Sequence, residues 1–206
     1  VHGACVNRPN DISSVLRNLS KKNVLNLGFG DNGPLLEFAT LREYLEPNVK
    51  KILWVYYEGN DLLKIRDKLS NKLINKYLTD LSFSQNLKNK QEIIDRMIEK
   101  LIDEKLNRDL QFYTDNQFKA NFIKVIKIYH FRKLFSSQKE PELVPEFKKI
   151  IQLANNFALK NNSKLYFIYL PDYSRYKNNY KFKNHSKIKS IINELGIPFI
   201  DIDLEV

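Results

Sequence analysis

The chain has 206 residues, 43% hydrophobic and 28% charged, a globular composition that excludes disorder and collagen-like repeats. Its 34 Lys+Arg against 24 Asp+Glu leave a formal charge of +10, which brings nucleic acid and anionic membranes into consideration as partners. The single cysteine, Cys5, excludes an intrachain disulfide and a four-cysteine zinc site; His2, His130 and His185 are too far apart for a zincin helix; and no run reaches the roughly 20 apolar residues of a membrane span.

Taken in chain order, Asn10 and Asp11 precede an apolar spacing at Ile12, Val15, Leu16 and Leu19, which predicts a capped amphipathic helix. Asn23 to Leu27 reads as a short buried strand running into the turn Gly28-Phe29-Gly30-Asp31-Asn32-Gly33-Pro34, and Leu35 to Leu45 as a helix stopped at Pro47. Lys51 to Tyr57 (KILWVYY) is a second strand, ending abruptly at Glu58-Gly59-Asn60-Asp61. From 62 to 139 the apolar residues recur at three and four, which predicts a charged helical insertion without strands. A helix over 147–159, a strand over 164–170 (KLYFIYL), a Tyr- and Asn-rich loop, a helix over 186–195 and a strand over 197–202 complete the chain. Strands alternating with helices predict an α/β fold with a parallel sheet, of three-layer, flavodoxin-like type. The positive charge is spread over helix faces such as Lys119, Lys124, Lys127, Arg132 and Lys133, and no nucleic-acid-binding pattern accompanies it, so no nucleic-acid partner is expected.

In an open parallel sheet, ligands bind beyond the carboxyl ends of the strands. Gly28-x-Gly30-x-x-Gly33 matches the letter of a dinucleotide fingerprint, but Pro34 directly after the third glycine and the late acidic residue, Glu58, depart from it. A tight strand-to-helix turn is the simpler account. Asn60 at the end of KILWVYY is either a helix N-cap or a side-chain amide held rigidly at the site rim, where it would donate to a developing oxyanion. The stretch with Tyr173 and Arg175 after the strand 164–170 is either a plain surface loop or a substrate-binding one, in which Arg175 would hold a carboxylate or carbohydrate with Tyr173 stacking beside it. Ser13 and Ser14 read as capping or surface residues, His130 as a helix-packing residue and His185 as an exposed helix start; a Cys5–His2 pair lacks an orienting third group.

The glycine turn and the Asn60 block, in this order on successive strands, resemble the SGNH, or GDSL-type, serine hydrolases. Gly3 matches the glycine that trails the nucleophile block, Asn26-Leu27-Gly28-Phe29-Gly30-Asp31 the second block, and Glu58-Gly59-Asn60-Asp61 the third. Two departures stand out: Asp31 occupies the place of the glycine whose N–H serves the oxyanion hole, with Gly30 the adjacent alternative, and Glu58 replaces the first glycine of the third block. The resemblance implies a serine acyl-transfer mechanism on an ester, such as an O-acyl group of a carbohydrate or lipid, with no metal or cofactor. It places the nucleophilic serine and a central strand before Val1, and the Asp-x-x-His block after Val206. The 206 residues alone are therefore expected to be inactive. A non-catalytic or acyltransferase-like protein of polysaccharide modification on the same fold is the alternative, and a nucleotide-binding module a second one.

Overall fold

The computed structural model describes residues 6, 7, 9–115, 141–178 and 182–202. In chain order these are α1 (Ile12–Ser20), α2 (Gly33–Tyr44), β1 (Lys51–Tyr57), α3 (Asp61–Ser70), α4 (Lys72–Thr79), a short 3₁₀ turn (Lys88–Lys90), α5 (Gln91–Asp115), α6 (Pro145–Lys160), β2 (Lys164–Leu170), α7 (Tyr173–Asn178), α8 (His185–Glu194) and β3 (Phe199–Asp201). His2, Gly3, Cys5 and His130, and the basic face over 119–133, lie outside the described residues.

The fold is α/β. Three parallel strands in the order β1-β2-β3 are flanked by helices, consistent with a flavodoxin-like arrangement. Both long strands run in the register Lys51↔Lys164 through Tyr57↔Leu170, so their carboxyl ends are level and present one rim. Their sequences alternate in burial: Trp54, Tyr56, Leu165, Phe167 and Tyr169 face a core shared with Phe147, Ile150, Ile151 and Ala154 of α6 and with Ile188 and Ile192 of α8. Tyr56 stacks on Phe167 at 5.6 Å between ring centres and meets Phe147 edge-on at 5.8 Å, an aromatic arrangement favoured beyond simple burial.

The helix starts follow the local chemistry. Asp11 caps α1, accepting the Ser14 N–H at 3.0 Å as well as both the Ser13 and Ser14 hydroxyls, so these serines serve the cap as expected. Asn71 caps α4 by accepting from Leu73 and Ile74, and Pro145 opens α6 at a position where no N–H is needed. Arg42 of α2 donates to the carbonyls of Tyr77, Leu81 and Phe83 at 3.0, 2.8 and 2.6 Å, satisfying one group in the last turn of α4 and two in the loop that follows.

One expected strand is absent. Residues 23–27 make no ladder; the Val24 carbonyl is taken by the Arg17 guanidinium at 2.7 and 3.0 Å, and the Asn26 side chain accepts the Gly28 N–H at 2.9 Å. Side chains thus satisfy backbone groups that a neighbouring strand would otherwise have taken.

The chain divides into two units, Val1–Gln85 with Glu140–Val206, and Asn86–Lys139. The first two helices of the expected insertion, α3 and α4, pack with α2 in the first unit. The described part of the second unit is the 3₁₀ turn and the 25-residue α5, whose apolar residues Ile93, Met97, Leu101 and Ile102 recur at helical spacing. Among the described residues no helix is long and apolar enough to cross a membrane.

Candidate active site

β1 delivers its last residues to the rim in a turn that is bonded at nearly every polar group. The Glu58 N–H continues the ladder to the Leu170 carbonyl at 3.0 Å. Its side chain is 2% exposed and accepts from four donors: the Tyr169 hydroxyl, the Asp172 N–H at 3.0 Å, and Arg175 through both Nε, at 3.1 Å, and Nη2. Gly59 is needed for close approach: a Cβ there would strike Asp172 Oδ2 and lie 2.6 and 2.8 Å from ring carbons of Tyr57. The Tyr57 hydroxyl donates to that same Asp172 carboxylate, and burial together with this bond pushes the Tyr57 phenol well above its ordinary range.

Asn60 stands apart from these neighbours. It occupies the N-cap position of α3, with its carbonyl accepting the Lys64 N–H at 3.2 Å, yet its side chain makes no cap bond. Among the described residues that side chain has no hydrogen-bond partner. Asn60 is thus the N-cap of α3 by position, without the side-chain bond that gives a cap its usual stabilisation.

The glycine turn lies against the same place. Gly33, at φ +69°, starts α2 so close to α3 that a Cβ would strike Lys64 Cβ and sit 3.5 Å from the Asp61 carbonyl. Gly33→Ala should thus lower the unfolding free energy by about 2 kcal/mol, from backbone strain and overpacking combined, read from denaturant midpoints. Gly30 by contrast has open space around it. Asp31 adopts φ +69°, the left-handed region that favours glycine. Its carboxylate pairs with Lys64, with Lys68 at 3.8 Å, and the Lys64 hydrogen bond holds the carboxyl below the usual range. Its charge is thus matched by two ammonium groups of α3.

Behind the rim, Asp61 is buried and accepts the Tyr57 N–H at 2.7 Å, while Glu37 of α2 has Oε2 sealed from solvent without a hydrogen bond among the described residues. Burial pushes Asp61 up to about 7; burial and then the Asp61 charge push Glu37 well above its ordinary value. Both pKa values are raised, so the folded state binds more protons than the unfolded chain between about pH 4 and pH 7, and stability falls as pH rises through that window. Asp61→Asn, whose amide oxygen still accepts the Tyr57 N–H, should flatten this slope by on the order of 2 kcal/mol in thermal melts between about pH 4 and pH 8.

The loop after β2 carries the remaining expected residues. Tyr173 is 72% exposed and open to a ligand. Arg175 is committed to Glu58, and its guanidinium lies over the Phe182 ring at 5.5 Å, so an incoming carboxylate would compete with a buried partner. His185, expected as an exposed helix start, is half-buried: its Nε2 is 2.8 Å from Asp201 Oδ2 at the end of β3, and its ring meets Tyr169 edge-on at 4.7 Å. Register explains this, since Tyr169 pairs with Asp201 and both point to the covered face. The pair is a carboxylate-oriented imidazole, the base-and-orienter element that nucleophilic catalysis uses, here held within the fold.

Reading the sequence missed Glu58 as a binding partner and the roles of Asp172, Tyr169 and Asp201. A carboxylate at the end of a seven-residue apolar strand was the available signal, because a buried charge demands a partner. Among the described residues no cluster of three or more His, Cys, Asp or Glu is placed to hold a metal. No family model matches the chain, and no curated protein or solved structure matches it either.

Proposed function

We propose that this rim is the oxyanion-binding half of an SGNH-type serine hydrolase site acting on an ester, such as an acyl group on a glycan or lipid. The observation that carries the reading is the uncommitted Asn60 amide in a stretch whose other polar side chains are all bonded. In acyl transfer, a serine Oγ adds to the ester carbonyl while a histidine takes its proton, giving a tetrahedral intermediate with a negative oxygen. Asn60 Nδ2–H and a backbone N–H at Gly30 or Asp31 donate to that oxygen. Collapse expels the alcohol, which takes the proton from histidine, and water repeats the sequence to free the acid. The resemblance assigns that serine and that histidine to no residue of 1–206. The Lys64–Asp31 pair lets a residue with a carboxylate occupy the glycine position without presenting an unopposed charge.

Asp31 in that position also favours the alternative, a non-catalytic or acyltransferase-like protein on the same fold. Turnover separates the two. A chain extended on both sides of residues 1–206 should hydrolyse short acyl esters with saturation, while residues 1–206 alone should not. Saturable hydrolysis by residues 1–206, or its absence from the extended chain across acetylated glycans and simple esters, would count against the hydrolase reading.

A further inference from the structure

We propose that Glu58 and Arg175 are positioning residues for Asn60, an inference that rests on the hydrolase reading above. The turn 57–61 is fastened at four points: Tyr57 N–H to Asp61, Tyr57 hydroxyl to Asp172, Glu58 N–H to Leu170, and the Glu58 carboxylate to the 169–175 segment through four donors. The second and the last of these cross between the ends of the two long strands through side chains, and the last does so with the most donors. It sits two residues from Asn60 and spans both oxygens of one carboxylate.

The residue types suit this task. The guanidinium offers two parallel donors to the two carboxylate oxygens, which fixes orientation as well as distance; an ammonium offers a point charge and leaves rotation free. Both side chains are sheltered, 2% exposed for Glu58 and 19% for Arg175, so the pair is poorly screened by water. A donor held in place before reaction needs no reorganisation when the oxyanion forms, and a small displacement of it is felt in the chemical step rather than in substrate binding. Glu58 therefore replaces the glycine of the SGNH pattern with a tether, and Arg175 is its anchor rather than a substrate receptor.

The test compares Glu58→Gln, Arg175→Lys, Asn60→Ala and the double variant Glu58→Gln/Asn60→Ala in the extended protein, with acyl-ester kinetics and backbone amide exchange at residues 59–61. Glu58→Gln should lower kcat about 10–100-fold with KM within about threefold, and should add almost nothing to Asn60→Ala, because both act through one donor. Amide exchange at 59–61 should quicken in Glu58→Gln and, to a smaller degree, in Arg175→Lys, which retains the charge and gives the same reading should the glutamine variant melt below assay temperature. Unchanged exchange in both, or losses that add fully to Asn60→Ala, would overturn the positioning role while leaving the hydrolase reading standing. Asn60→Ala turning over like the parent would overturn the hydrolase reading and, with it, the role of Glu58.

Discussion

Arg175→Ala should lower the unfolding free energy by about 3–5 kcal/mol, the range expected when one partner of a buried ion pair is removed. Most of that loss comes from what stays behind. Glu58 is 4% exposed, and without Arg175 its carboxylate keeps only the Tyr169 hydroxyl and the Asp172 N–H. Neither neutralises it, and water cannot reach it easily. Removing both charges should be far milder: Glu58→Gln with Arg175→Met leaves an amide whose oxygen accepts the Asp172 N–H and whose NH2 donates to the Tyr169 hydroxyl, and an alkyl chain that fills the arginine's path, so the double variant should recover most of the stability. Denaturant unfolding of the four proteins forms a double-mutant cycle. A loss below about 1 kcal/mol in Arg175→Ala would mean that the pair is effectively solvated and behaves as a surface bridge.

The elements were legible where burial and local chemistry agree. KILWVYY and KLYFIYL become strands over the residues read from their β-branched and aromatic runs, because each is half-buried and bounded by residues that end it. Asn23–Leu27 has a similar apolar run and forms no strand, since a strand is defined by a partner, and the Arg17 guanidinium takes the Val24 carbonyl instead. A motif names backbone positions: Asn60 and Asp31 lie just before α3 and α2, two helices that approach each other at Gly33 and Lys64. The site was illegible where function rests on long-range pairing. Glu58 and Arg175 are 117 residues apart, and His185 and Asp201 are joined by strand register; a spacing rule carries neither.

The second large effect concerns Asn60 itself. Its side chain has no hydrogen-bond partner among the described residues, so truncating it costs the fold little. In the hydrolase reading the same truncation removes one of the donors to the oxyanion, which is worth about 3–4 kcal/mol of transition-state stabilisation, or 10²–10³ in kcat. Few substitutions separate stability from chemistry so cleanly, because most rim residues here are also structural.

The decisive measurement is accordingly kcat and Tm of Asn60→Ala in the extended protein, on an acyl ester that the parent hydrolyses with saturation. The rim described here predicts a kcat reduced about 10²–10³-fold with Tm within about 2 °C of the parent. A parent-like kcat, or a loss of activity that tracks a matching fall in Tm, would contradict it.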